Sequence, residues 1–251
     1  MSENITQKEI LDIATSIGYY ILKYGGEINR VEDTVERIGL SYQMDAVHVF
    51  AISSTIVVTM VKNGNAISQT RRVHKLETNL ERVEQYNALS REICNNNLSY
   101  DVLLERIKQI ETNISYPFWV SFLAYSLVGG SFAIFFGGGI KECIVGFIVG
   151  FLLRFVMLAT DKFQANPFFA NATGAAATVI LIKIASLLLP TLNVQTTTIS
   201  VLMLLVPGVL LTNCIRDFVA TDYTAGLSKI VESIFIATAI ALGVGVSMLW
   251  R

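Results

Sequence analysis

LLVPGVLLTNCIRDFVATDYTAGLSKIVE, residues 204–232, joins two long apolar tracts and carries an interruption of its own. Residues 184–215 and 233–250 contain no Asp, Glu, Lys or Arg, and neither do 112–140 and 163–182. A membrane helix needs about 20 mostly apolar residues. The back of the chain therefore predicts about five transmembrane helices, at about 118–136, 141–159, 169–189, 197–213 and 230–250. Inside the fourth stands Pro207, followed at once by Gly208. A proline in a helix removes one hydrogen bond and clashes with the preceding turn, so this span is predicted to be broken. Irregular backbone at membrane depth is tolerated only where protein or water satisfies it. Interrupted spans accordingly point to a substrate path.

Outward from this stretch the composition divides in two. Of the 251 residues 53% are hydrophobic and only 16% charged, against the roughly 25% usual in soluble domains. Residues 1–116 hold 12 Lys+Arg and 15 Asp+Glu, whereas 117–251 hold 7 and 5. This predicts an α+β cytoplasmic domain over 1–115 followed by an all-α membrane domain over 116–251. The net charge of −1 argues against a nucleic-acid partner. The first 25 residues include Glu3, Lys8, Glu9, Asp12 and Lys23 and lack the apolar core of a cleavable leader. Lys and Arg near the span ends favour the N-terminus in the cytoplasm and the C-terminus at Arg251 outside. Cys94, Cys143 and Cys214 are far apart, and His48 and His74 have no metal-ligand spacing, so no metal or cofactor is expected.

The front half reads α-α-β-β-β-α-α. Apolar positions at Ile10, Ile13, Ala14, Ile17, Tyr20, Ile21 and Tyr24 make a helical stripe that Gly25-Gly26 ends. A second helix covers about 27–42. The β-branched run 46–61 divides at Ser53-Ser54 into two strands, and Asn63-Gly64 turns into a third over 66–72. Helices at about 77–97 and 99–111 follow.

Polar groups at the interruption are the first candidates for chemistry. Asn213, Arg216, Asp217 and Asp222 come directly after it. The planar fork of Arg216 suits a carboxylate substrate or Asp217; an Arg216–Asp217 pair that merely anchors the loop is the plainer alternative. Glu232, expected in the first turn of the fifth span, could take up a proton or simply favour the helix N-terminus. Lys183, deep in the third span, could draw an anion or reach the outer interface along its stem. Asn171 is polar near the inner end of that span, while Ala170, Gly174 and Thr178 make a small-residue packing face. In the front half Glu27, Arg30, Glu32 and Asp33 share a helix, and His48 lies on a strand. No nucleophile elbow accompanies His48, and no phosphate-binding loop supports ATP drive, so enzymatic activity is not expected.

These segments resemble the threonine/serine exporter family, and within it the split, YjjP-like branch. The resemblance rests on YGGEINRVEDTVERIGLSYQMDAVHVFAISSTIVVTM (24–60), TRRVHKLETNLERVEQYNALSREI (70–93) and the PGxxLTNxIRDxxxxDxxxG pattern that runs from Pro207 to Gly226. It implies a multi-pass protein of the bacterial inner membrane that exports small metabolites, dicarboxylates such as succinate or serine and threonine, on an ion gradient. It implies a separate small YjjB-like membrane subunit as partner and leaves room for a higher oligomer. Carried over residue by residue, the motif positions are Glu27, Arg30, Glu32, Arg71, Asn79, Asn213, Arg216, Asp217, Asp222 and Gly226; Lys183 is not among them. A membrane-anchored hydrolase and a ligand-sensing regulator are the alternative classes.

Overall fold

The computed structural model describes residues 5–74, 76–96, 98–113 and 116–249; the expected outer terminus at Arg251 lies outside them. Contacts divide the chain into two compact units. One comprises residues through Asn113 together with Leu211–Lys229; the other comprises Ile114–Leu210 and Ile230 onward.

The first unit contains α1 (Gln7–Lys23), α2 (Ile28–Ser41), β1 (Ala46–Ile52), β2 (Thr55–Lys62), β3 (Asn65–Arg72), α3 (Leu80–Asn96) and α4 (Tyr100–Thr112), in the order expected. Thr6 and Glu9 form a capping box that satisfies the first amides of α1. Gly25, at φ +86°, supplies the left-handed residue that ends it and lets the chain turn into α2. The sheet is antiparallel in the order β1-β2-β3, closed by Asn63 and Gly64 at φ 51° and 75°. On β2, Ile56, Val58 and Met60 alternate into a core shared with Ile10, Ile17 and Ile21 of α1 and Val31, Val35 and Ile38 of α2. Tyr20 and Tyr86 stack with ring centroids 4.9 Å apart.

The second unit contains α5 (Phe118–Phe135), α6 (Ile140–Lys162), α7 (Pro167–Leu188), α8 (Val194–Leu202) and the greater part of α10 (Tyr223–Leu249), while α9 (Gly208–Val219) begins in it. At α5–α6 the backbones touch: a Cβ on Gly146 would lie 2.5 Å from the Gly129 carbonyl oxygen. Glu142 fastens the α7–α8 link, its carboxylate accepting from the Asn193 N–H at 2.9 Å.

Four helices among the described residues, α5, α6, α7 and α10, are long and apolar enough to cross a membrane, where about five were expected. The stretch 197–213 is not one helix. α8 ends at Leu202, and α9 starts only at Gly208. Pro207 has no N–H to donate, and the nine residues of α8 rise only about 14 Å, under half of a bilayer core. One correction concerns Glu232. It is not in a first helical turn, because Asp222 starts α10 earlier, accepting from the Ala225 N–H at 3.1 Å. The carboxylate favoured by the helix N-terminus is thus Asp222.

Candidate functional site

Within the first unit, α9 carries the residues that follow the interruption. Asn213 and Arg216 are three apart and share a face of the helix, whereas Arg216 and Asp217 are consecutive and point apart. The two halves of the motif therefore take different partners. Arg216 hydrogen-bonds through Nη1 to Oε1 of Glu27, the residue before α2. Asn213 donates from Nδ2 to the Gly25 carbonyl at 3.4 Å. Asp217 accepts from Lys229 at 2.5 Å, with side-chain exposures of only 5% and 8%. The expected alternative of an Arg216–Asp217 pair is thus replaced by two separate ion pairs, one accessible and one enclosed.

Glu32, one turn beyond Glu27 on α2, accepts from the Ala51 N–H of β1 at 2.9 Å. Burial pushes its carboxyl above the usual range, and the charges of Asp222 and Asp33 push the same way, against the downward pull of the Ala51 hydrogen bond. Glu32 and Asp222, 190 positions apart in sequence, therefore sense one another in the folded unit.

Other motif residues lie elsewhere. Asn79 caps α3, its Oδ1 accepting from the Arg82 N–H at 3.1 Å. Arg71 pairs with Asp12 at 2.8 Å, beside a cleft of about 820 Å³ that Asp12, Ser68, Gln69 and Tyr100 help to line. Burial opposes ionisation of Asp12, but hydrogen bonds from Gln69 and Tyr100 and the charge of Arg71 hold its carboxyl below the usual range. Arg30 is exposed on α2. In the second unit, Asn171 donates to the Pro167 carbonyl of its own helix at 2.8 Å. Lys183 donates to the Ser247 carbonyl at 2.9 Å, a cation at the last turn of α10. Glu232 is half-buried on α10. Among the described residues no three His, Cys, Asp or Glu converge as a metal site would require.

Sequence reasoning passed over Lys229 and Glu111. Lys229 is the one basic residue between Arg216 and Arg251 in the sequence, a signal that could have found it. Glu111 accepts from Tyr24 at 2.9 Å, Tyr86 at 2.8 Å and Arg82 at 2.9 Å, and nothing in local periodicity announces that convergence.

Comparison with known proteins supplies a family. The family model described as "Putative threonine/serine exporter" matches residues 12–250. A protein named "Probable succinate transporter subunit YjjP" in Escherichia coli (strain K12) is 25% identical over 243 residues, covering 95% of this chain and 93% of the relative. A protein of the same name in Klebsiella aerogenes is 26% identical over 96% of this chain and 94% of its own length. The "Threonine/serine exporter" of Corynebacterium glutamicum is 24% identical over 95% of this chain, but over only 50% of its own length. No solved structure matches.

Two outcomes follow from the geometry. Asp217→Asn removes the carboxylate charge that Asp217 sets against the enclosed Lys229 and should cost about 3–5 kcal/mol. Pairing it with Lys229→Gln should recover most of that loss in thermal melts; equal melting of the single and double variants would contradict the enclosed pair. For Glu32, the folded pKa lies above the unfolded one. Its ionised form therefore burdens the fold above the folded pKa, and the burden vanishes as pH falls below the unfolded value. Glu32→Gln, which keeps an acceptor for Ala51, should melt above wild type near neutral pH, with the gap closing by about pH 4. A gap independent of pH would contradict this electrostatic reading.

Proposed function

The chain belongs to the threonine/serine exporter family, and from that premise we propose that it is one subunit of a secondary-active exporter of small carboxylate-bearing metabolites, driven by an ion gradient. Succinate, serine and threonine, the compounds in the relatives' names, share a carboxylate. The observation that carries the reading is the accessible guanidinium of Arg216, whose side chain is 54% exposed in the motif that follows the interrupted stretch. A planar fork can hold a carboxylate at two points. Asn213, Asp217 and Asp222 are assigned to the same path, with Glu232, Asn171 and Lys183 along the membrane helices and Pro207-Gly208 as the break.

A second membrane protein completes the transporter in this reading. Two relatives are named as subunits, and the Corynebacterium relative carries about as much chain again beyond the matched half. Transport sites commonly lie between two such halves. The domain through residue 115 faces the cytoplasm. α8 together with the irregular stretch up to α9 forms a fifth, broken crossing that returns the chain to the cytoplasmic side, and α10 then leads the C-terminus outward. Water along that crossing satisfies the backbone groups released at Pro207.

Export from loaded vesicles tests this directly. With a small membrane partner co-reconstituted, the chain should export succinate, serine or threonine down an imposed ion gradient, and neither protein alone should do so. Arg216→Lys should lower export at least tenfold per folded molecule, because an ammonium cannot copy a two-point contact. Full transport by this chain alone would contradict the split-subunit reading; unchanged export by Arg216→Lys would contradict the site.

A further inference from the structure

We propose that Glu27 is a built-in occupant of the carboxylate site at Arg216, and that an arriving substrate carboxylate displaces it. The inference rests on the exporter reading above and adds how the site is kept closed while empty.

Charge accounting around α9 singles out this pair. Asp217, the nearest carboxylate in sequence, is held by Lys229 in an enclosed ion pair and is not available to Arg216. The guanidinium therefore turns to Glu27, and the two side chains stay 54% and 30% exposed. A small anion can reach Arg216 without unpacking the core. The contact joins one nitrogen, Nη1, to one oxygen, Oε1. A free carboxylate can use two oxygens on the planar fork and thereby outcompete a one-point contact.

Displacement also leaves Glu27 in a tolerable place. It is the residue before α2 and makes no side-chain capping bond there, since its carboxylate is given to Arg216. Once released, it remains beside the positive end of that helix, where a negative charge is favoured. Arg216 meanwhile keeps its position, because Asn213 on the same face still holds α9 to the Gly25 carbonyl. Glu27 thus acts as an internal competitor. An exposed ion pair of this kind is weak, so it should reduce apparent affinity only about two- to fivefold.

The decisive feature is a difference in sign between the two partners. The full chain in lipid nanodiscs is titrated calorimetrically with succinate and with serine, with serinamide, which lacks the carboxylate, as the control. Glu27→Gln should bind succinate or serine about two- to fivefold more tightly than wild type. Arg216→Gln, alone or combined with Glu27→Gln, should bind neither, and Glu27→Asp should fall between Glu27→Gln and wild type. Melting without ligand separates folding from binding, because both single variants lose the same exposed pair and should shift alike. Weaker or unchanged binding by Glu27→Gln, or no carboxylate binding by the wild type, overturns the proposal. Export by the wild-type chain with its partner is scored separately. Intact export with no tightening in Glu27→Gln rejects the internal competitor alone, whereas absent export rejects the reading beneath it.

Discussion

Glu27 and Arg216 stand 189 residues apart in the chain and meet in one hydrogen bond. It attaches the segment after the interrupted stretch to the bend between α1 and α2. The bend is suited to the task because the segment 77–79 grips it. The Glu77 N–H donates to the Lys23 carbonyl at 2.8 Å and the Asn79 N–H to the Tyr24 carbonyl at 3.1 Å. Gly25 is required there by its left-handed backbone at φ +86° rather than by lack of space, since a Cβ would meet the Glu77 carbonyl oxygen at an ordinary contact distance of 3.4 Å. The YGGE run is therefore a junction whose backbone is fixed from one side and whose side chain is offered to the other.

The same junction reaches Glu111 in the last turn of α4. Tyr24, Tyr86 and Arg82 all donate to that carboxylate, and Lys23 lies 3.6 Å from it. A partly buried carboxylate is stable only when its lone pairs are satisfied, and here donors from α3 and the bend supply them, with the Lys23 charge of α1 nearby. α4 ends at Thr112 and the first long apolar helix opens at Phe118, so the chain enters its apolar half from a firmly held point. At the other end, the enclosed Asp217–Lys229 pair fixes the start of α10 before its apolar run. Ion pairs thus stand beside two of the three places where the chain passes from one unit to the other, after Asn113 and after Lys229.

Much of this was legible in the sequence because it is periodic or punctuated. The stripe from Ile10 to Tyr24, the Ser53-Ser54 division and the Asn63-Gly64 turn are local signals, and the seven elements of the front half follow them. Pro207 likewise announced a break. What it could not announce was the outcome: two short helices beside four long apolar ones in the sequence of described elements, and a first part of α10 that folds with the front half. Partner choice was illegible for a physical reason. Arg216 and Asp217 looked like a pair because they are adjacent, yet adjacency on a helix separates side chains by about 100°. Their true partners, Glu27 and Lys229, are set by tertiary packing. Lys183 read as a charge stranded in an apolar helix, and only the fold places the last carbonyls of α10 against it.

The central claim is that residues 211–219 are held to the α1–α2 bend by the Arg216–Glu27 and Asn213–Gly25 contacts. Amide hydrogen exchange on the full chain, comparing wild type with an Asn213→Ala/Arg216→Gln variant, tests it most directly. The account predicts that peptides covering 24–31 and 211–219 lose protection together, because each side of the contact is released. A loss confined to 211–219, with 24–31 exchanging as in the wild type, would contradict it.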